Sequence, residues 1–148
     1  MSEIQSSLKK WIWPGRMQIM TENIFYDVAH NANAIEKLSQ DLYSIYNKKP
    51  IGLLILKNDK LTDKLLTLLY NEFEELVIST IDSKDILQKD AILDNNQLQQ
   101  FKFVDNITEA LSEMKSINYN GPKVIFGSHY IAKELYKFFD FSFDNGTI

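Results

Sequence analysis

Three short polar stretches of the sequence have side chains suited to binding an anionic or hydroxylated ligand. The first, residues 27–31, is DVAHN. An aspartate at a strand end can accept hydrogen bonds from two ribose hydroxyls, and His30 and Asn31 can present donors to an anion or a carbonyl. The alternative, which the local pattern favours, is that Asp27 and Asn31 only satisfy backbone amides in a turn and a helix cap.

The other two stretches also follow apolar runs. The second stretch, residues 127–129, is GSH, and its Gly127 permits a close approach of the backbone. Ser128, together with the free amides of a helix start, can hold a carboxylate or a phosphate. The third stretch, residues 57–60, is KNDK, and its two lysines could contact a phosphate. The alternatives are an ordinary capped turn for GSH and a solvated loop for KNDK.

A predicted β-hairpin brings Arg16 and Asp27 together. Its strands are residues 17–20 and 24–28, its loop is residues 21–23, and its register sets Met20 opposite Ile24 and Arg16 opposite Val28. Arg16 and Asp27 therefore share the open end of the hairpin, even if the register is wrong by one residue. Arg16 is then either a clamp for a phosphate or a carboxylate, or a partner in a surface salt bridge.

After the hairpin, amphipathic helices alternate with apolar strands. Asn31 is a predicted N-cap, and the spacing of Ile35, Leu38, Leu42 and Ile45 predicts a helix that ends before Pro50. The further predicted strands are residues 51–56, 76–81, 101–104 and 123–126. The further predicted helices cover residues 61–69, 107–117 and 128–139, with one or two short helices around Ile86, Leu87 and Leu98.

Uninterrupted apolar strands indicate a sheet that is buried on both faces. The fold class is therefore an α/β three-layer, Rossmann-like domain with a mostly parallel sheet and an N-terminal antiparallel hairpin strand. Such sheets bind ligands at the carboxyl ends of their strands, beside helix N-termini. All three polar stretches fall at that edge.

Composition excludes several classes of function. The 148 residues suit one domain, and a net charge of -4 provides no general attraction for nucleic acid or for an anionic membrane. There is no cysteine, and His30 and His129 are far apart, so no metal site is predicted. No apolar run approaches the roughly 20 residues that span a bilayer, and we expect a cytoplasmic protein. The five glycines form neither phosphate-binding motif, and no nucleophile lies beside a base, so catalysis by this chain alone is not predicted.

Four stretches together resemble a known domain. They are WPGRMQ, FYDVAHNANAIEKL, FVDNITEAL and KVIFGSHYIAKEL, in that order from about Trp13 to Phe139. They resemble the C-terminal domain of folylpolyglutamate synthase/dihydrofolate synthase, a member of the Mur ligase family. The domain would cover residues 13–148, and residues 1–12 would be a linker or the end of a preceding domain.

The resemblance implies a domain that closes over an N-terminal P-loop ATPase domain. In that family, ATP and Mg²⁺ form an acyl phosphate on a dihydropteroate or folate carboxylate, and the amine of L-glutamate displaces the phosphate. Arg16, Asp27 and His30 would bind the nucleotide, and Asn31 and Ser128 would bind the glutamate. The magnesium ligands are expected on the N-terminal domain, and no catalytic residue is expected in this chain alone.

The chain departs from the family pattern at several positions. Val28 occupies a position where glycine is usual, Ala32 one where proline is usual, and His129 one where leucine is common. LKNDK replaces a glycine-containing turn that ends in Asp-Lys-Asp.

Two functions therefore remain open. The first is an excised or naturally truncated half of a two-domain ligase, without turnover by itself. The second is a non-catalytic nucleotide-binding or protein-interaction module derived from that domain. A ligase domain of the cell-wall precursor type fits less well, because those domains have a lysine-bearing motif where this chain has DVAHN.

Overall fold

The computed structural model describes residues 15–141. The predicted linker, residues 1–12, lies outside them, as do residues 13–14 and 142–148 of the predicted domain. The described strands are β1 (Gln18–Thr21), β2 (Ile24–Asp27), β3 (Ile51–Leu54), β4 (Glu75–Ile78), β5 (Lys102–Phe103) and β6 (Lys123–Phe126). The described α-helices are α1 (Ala32–Tyr46), α2 (Asp63–Glu72), α3 (Lys89–Asp94), α4 (Ile107–Ser116) and α5 (Ala132–Phe138), with 3-10 turns at Leu98–Gln100 and His129–Ile131.

The strands form one sheet in the order β1-β2-β6-β3-β4-β5. β1 and β2 are antiparallel, and the other neighbouring pairs are parallel. Helices α1 and α2 pack against one face of the sheet, and α4 and α5 pack against the other. The predicted three-layer α/β fold with an antiparallel hairpin strand is confirmed.

The apolar stripes predicted for the helices are their buried faces. Ile35, Leu38 and Leu42 of α1 lie in the core on one face of the sheet, and Ala110 and Met114 of α4 lie in the core on the other. Burial of a large aliphatic side chain contributes roughly 1.5–3 kcal/mol, so these stripes are what hold the helices on the sheet. Within residues 15–141, no helix combines the length and the apolar content needed to cross a bilayer.

The hairpin is confirmed with one correction to its register. Gln18 pairs with Tyr26, which sets Arg16 opposite Val28 as predicted, but Thr21 rather than Met20 pairs with Ile24. The register shifts between Ile19 and Thr21, so Met20 is the extra residue of a bulge and the loop has two residues. The loop is fixed from outside the hairpin, since Asn23 Nδ2 donates to the carbonyls of Tyr119 and Gly121.

Other predictions differ from the structure in detail. Strand β4 is Glu75–Ile78 rather than residues 76–81. Strand β3 ends at Leu54, because the chain then turns to meet a neighbouring loop: Leu56 accepts the Leu87 N–H at 2.8 Å. Ile86 and Leu87 lie in that loop rather than in a helix, and α3 follows them. Leu98 does start a short helical turn, as predicted.

Candidate functional site

The parallel register brings the ends of three neighbouring strands to one edge of the sheet. Asp27 at the end of β2 is in register with Phe126 at the end of β6, and Phe126 is in register with Leu54 at the end of β3. The residues that follow these strands therefore leave the sheet at the same level. This is the edge at which open α/β sheets bind their ligands.

A cavity of about 360 Å³ lies at this edge, between the open end of the hairpin and the first turns of α1. It is lined by Arg16, Met17, Asp27, Val28, Ala29, His30, Ala34, Lys37, Leu38 and Asp41. The three residues predicted to bind a nucleotide, Arg16, Asp27 and His30, are thus brought together in one cavity. Asn31 and Ser128 are not among its lining residues.

Asp27 joins the two chain segments that form the cavity. Its Oδ2 accepts the Met17 N–H at 3.0 Å, and its Oδ1 accepts the Ala29 N–H at 2.8 Å. Burial raises the pKa of this carboxyl above its usual value, while the two N–H groups and the Arg16 charge act in the opposite direction. A carboxylate has about four acceptor sites, so two are still available for ligand hydroxyls. The turn-forming role and the ligand role are therefore compatible.

Arg16, the sole arginine of the sequence, lies in a tightly held turn. Its neighbours Gly15 and Met17 have φ values of 71° and 44°, both in the left-handed region. For a residue such as Met17, this conformation costs about 1–3 kcal/mol. Gly15 accepts the Val28 N–H at 2.8 Å, and Met17 donates to Asp27, so hydrogen bonds on both sides hold the turn. The exposed guanidinium has no carboxylate partner among residues 15–141.

His30 and Asn31 occupy the start of α1. His30 is half-buried, and its Nδ1 lies 3.1 Å from the Val28 carbonyl, to which it donates because a carbonyl only accepts. In the neutral ring, Nε2 is then an acceptor. Asn31 is exposed and is the predicted N-cap: its Oδ1 accepts the Ala34 N–H at 2.9 Å. His30 therefore lines the cavity, while Asn31 lies just outside it.

The turn after β6 is closed. Ser128 is only 2% exposed, and its Oγ caps the following helical turn by accepting the Tyr130 N–H at 3.0 Å. Gly127 has a φ of 112°, and a Cβ there would lie 2.3 Å from the carbonyl oxygen of Ile55. The structure therefore gives Ser128 the capping role. Its role in glutamate binding stays a prediction.

The KNDK loop, residues 57–60, is held against a second loop. Lys57 forms a bridge with Ile86, and Asn58 donates to the carbonyls of Asp85 (2.9 Å) and Lys84 (2.6 Å). The hydrogen bonds of Asn58 therefore stabilise the contact between the two loops instead of being available to a ligand.

Comparisons with known proteins identify the fold. No family model matches the chain, and no curated protein matches it. The folylpolyglutamate synthase of Mycobacterium tuberculosis, solved with ADP and AMPPCP, is similar with a TM-score of 0.67 and 22% identity, over 88% of this chain and 33% of that chain. FolC of E. coli, solved with ADP and without folate substrate, has a TM-score of 0.72 and 21% identity, over 87% and 32% of the two chains.

A bifunctional folylpolyglutamate synthase/dihydrofolate synthase, solved with Mn, AMPPNP and L-glutamate bound, is also similar. Its TM-score is 0.67 and its identity 21%, over 82% of this chain and 32% of that chain. The fold is that of the C-terminal domain of folylpolyglutamate synthase. The chain spans about a third of the length of the solved structures it matches.

On this folylpolyglutamate synthase fold, the cavity contains two charged residues that were not predicted from the sequence. Lys37 and Asp41 lie one turn apart on α1 and form an exposed ion pair of 3.1 Å. The signal was present, because residues 34, 37, 38 and 41 share one helical face and Ala34 follows the DVAHN stretch closely. An isolated pair of this kind contributes only about 0.3–0.5 kcal/mol, so its position in the cavity is of more interest than its stability.

Gln18 was also missed. It is 3% exposed, and its Oε1 accepts the Gly15 N–H at 3.1 Å and the Tyr136 hydroxyl at 2.9 Å. Its Nε2 is buried and has no partner among the described residues. A buried donor without a partner costs about 1–3 kcal/mol. No local sequence pattern indicates this contact, because Tyr136 is 118 positions away.

Within residues 15–141, no three His, Asp or Glu side chains are arranged to hold a metal ion. These residues therefore do not form a site for the magnesium ion that the resemblance implies, which was expected on the N-terminal domain.

Proposed function

We propose that the chain is a domain of an ATP-dependent amide ligase that adds glutamate to dihydropteroate or folate through an acyl phosphate. The observation that carries the proposal is the convergence of Arg16, Asp27 and His30 on one cavity at the carboxyl edge of the sheet. The three solved structures described above contain ADP, AMPPCP or AMPPNP, and one of them also contains L-glutamate.

Each cavity residue has a chemical role in this proposal. The unused acceptor sites of Asp27 take the ribose hydroxyls, and the guanidinium of Arg16 pairs with phosphate oxygens. His30 presents its ring between these groups and the start of α1. The apolar side chains of Met17 and Leu38 line the same cavity and reduce the access of water.

The glutamate contacts follow from the helix starts. Asn31 is exposed at the first turn of α1, where the free amides favour a carboxylate. Ser128 is buried, so we propose that it contributes by fixing the turn after β6 rather than by direct exposure of its hydroxyl to solvent.

The reaction itself requires a second domain. ATP transfers its γ-phosphoryl group to the acyl carboxylate, the P–O bond to ADP breaks, and the glutamate nitrogen then attacks the acyl carbon and releases phosphate. This chain binds and orients the nucleotide and glutamate, while a partner P-loop ATPase domain provides the phosphate loop and the Mg²⁺ ligands. A cytoplasmic location is part of the proposal, because ATP and L-glutamate are consumed. We expect no turnover by this chain alone, and glutamate addition by it would refute this division of roles.

A ribose-specific binding experiment tests the nucleotide site. The chain is titrated calorimetrically with ADP and with 2′,3′-dideoxy-ADP. Asp27→Asn should weaken the binding of ADP by about tenfold and the binding of the dideoxy compound much less. A structural disturbance of the turn would weaken both compounds equally. Asp59→Asn, an exposed carboxylate outside the cavity, is the matched control. Equal losses for both compounds would rule out the ribose contact.

A second candidate is a non-catalytic nucleotide-binding or protein-interaction module. The observation that favours it is the KNDK loop, in which Asn58 is bonded to Lys84 and Asp85 rather than left available for a ligand. The two candidates differ in their response to a partner. Addition of a P-loop domain encoded beside this chain should restore glutamate ligation in the first case and should not in the second.

A further inference from the structure

Two side chains outside the cavity connect helix α5 to the Arg16 turn. The Tyr136 hydroxyl donates to Gln18 Oε1, and the same oxygen accepts the N–H of Gly15, the residue before Arg16. Gln18 opens β1, and Tyr136 lies on α5. A single acceptor atom therefore joins the helix to the turn that carries the guanidinium.

We propose that Gln18 and Tyr136 are a positioning pair that holds Arg16 in place for the phosphates of a bound nucleotide. The inference rests on the proposed function, which assigns the phosphates to Arg16. It adds two residues that are not among those lining the cavity.

Three hydrogen bonds hold the Arg16 turn, and they have different anchors. Gly15 accepts the Val28 N–H, and Met17 donates to Asp27, so these two bonds attach the turn to the end of β2 and its continuation. The Gly15 N–H is held by Gln18 alone among these groups. Without that bond, the turn is attached only to the end of β2 and its continuation, and the left-handed backbone around Arg16 loses one of its constraints.

Glutamine at this position satisfies two donors and leaves one of its own unpaired. Its Oε1 accepts the Gly15 N–H and the Tyr136 hydroxyl, while its Nε2 is buried without a partner among the described residues. An apolar side chain of similar size would avoid the unpaired Nε2, but it would remove the shared acceptor of the Gly15 N–H and the Tyr136 hydroxyl. The orientation of the amide is fixed, because only Oε1 can accept these two hydrogen bonds.

The ring of Tyr136 is itself fixed by aromatic packing. It lies edge-on to Tyr26, with ring centroids 6.1 Å apart, and stacks on Phe141 at 5.3 Å. The Tyr26 hydroxyl donates to the Ser128 carbonyl at 3.4 Å. The pair therefore connects the Arg16 turn to the aromatic residues packed around Tyr136, so the turn is held both from β2 and from α5.

Two isotope labels isolate the relevant signals in the full chain. Labelling with ¹⁵N-glycine gives five amides, among which that of Gly15 reports the bond to Gln18 and that of Gly52 is an internal reference. Labelling with ¹⁵N-arginine gives one Nε–H signal, because Arg16 is the sole arginine.

We expect Gln18→Met to speed exchange of the Gly15 amide about tenfold relative to Gly52, because the acceptor is lost. Gln18→Glu retains an oxygen at that position and should keep exchange close to wild type. Tyr136→Phe should weaken the binding of ADP about fivefold and leave the binding of adenosine almost unchanged. The shift of the Arg16 signal that ADP induces should also be smaller than in wild type.

The matched control is Tyr119→Phe, which removes a tyrosine hydroxyl that donates to the Lys49 carbonyl at the opposite edge of the sheet. It should change none of these readouts. An unchanged Gly15 amide in Gln18→Met, or equal losses of ADP and adenosine in Tyr136→Phe, would overturn the positioning pair. If ADP does not shift the Arg16 signal of the wild-type chain, the proposed function is refuted instead. Exchange of the Gly15 amide distinguishes the two failures, because it reports the bond to Gln18 without any nucleotide.

Discussion

The turn after β2 and the turn after β6 have similar sequence patterns and opposite structures. Both follow a strand at the same level of the sheet, and both cap a helical turn with a polar side chain. The first opens onto a cavity of about 360 Å³, whereas the second buries Ser128 to 2% exposure. Strand position explains the difference: β6 has parallel neighbours on both sides, and the chain at the end of β3 packs against Gly127, while β2 has the antiparallel strand β1 on one side. The neighbours, rather than the local residues, decide which turn is open.

The largest expected effect concerns the glycines of the two turns. Gly127→Ala should lower the free energy of unfolding by about 3 kcal/mol or more, because φ is 112° and the new Cβ meets backbone at 2.3 Å. Gly15→Ala should cost less, about 1–2 kcal/mol, because its Cβ meets the Val28 side chain, which can move. Urea unfolding of both variants measures the difference. Equal losses would show that the closed turn is no more constrained than the open one.

An intermediate effect is expected at Asp27. Asp27→Asn leaves one of two backbone N–H groups without its acceptor and should cost roughly 1–2 kcal/mol at neutral pH. Asp41→Asn is the matched control: this carboxylate also lines the cavity, but its described partner is the exposed Lys37, so the loss should stay below about 0.5 kcal/mol.

The pH dependence at Asp27 has a definite sign. Burial raises the pKa of Asp27 above 3.8, so the folded chain binds this proton more tightly than the unfolded chain. The resulting stabilisation is complete below pH 3.8 and is lost as the pH rises through the folded pKa. The stability of wild type relative to Asp27→Asn should therefore fall over that window, and Asp41→Asn should lower the pKa of Asp27. Carboxyl NMR titration and urea unfolding against pH measure both, and a difference that grows with pH would contradict the sign.

The smallest effect compares the two caps. Ser128→Ala should cost about 1–2 kcal/mol, because the Tyr130 N–H loses a buried acceptor, whereas Asn31→Ala should cost about 0.5–1 kcal/mol, because water can replace the exposed cap. Thermal unfolding of both variants at one pH measures the difference. A larger loss at Asn31 would mean that exposure does not control the value of these caps.

The features that were predicted from the sequence depend on short-range rules. The strand at residues 123–126 and the cap at Asn31 were correct because apolar runs and capping residues act locally. Arg16 and Asp27 were correctly placed at the open end of the hairpin, because the bulge at Met20 lies nearer the loop and leaves the pairing at the open end unchanged.

The features that were not predicted depend on contacts between distant segments. No residue near Gly127 indicates that the chain at the end of β3 packs against it, and no residue near Gln18 indicates the contact with Tyr136. The hairpin loop beside the bulge at Met20 is likewise held by Asn23, which donates to carbonyls almost a hundred positions away. Burial and register are set by the assembled sheet, so they become visible only when all six strands are placed.

The two backbone bonds of Asp27 have a consequence for how such motifs are interpreted. Because the carboxylate joins Met17 to Ala29, a chain that no longer bound any nucleotide would still need it to keep the hairpin and the helix start together. A motif of this kind can therefore persist for structural reasons in descendants that no longer catalyse the reaction. The exposed guanidinium of Arg16 joins no two segments in this way, since it forms no ion pair among residues 15–141. Among divergent relatives, retention of the arginine is therefore the more informative sign of a working site than retention of the aspartate.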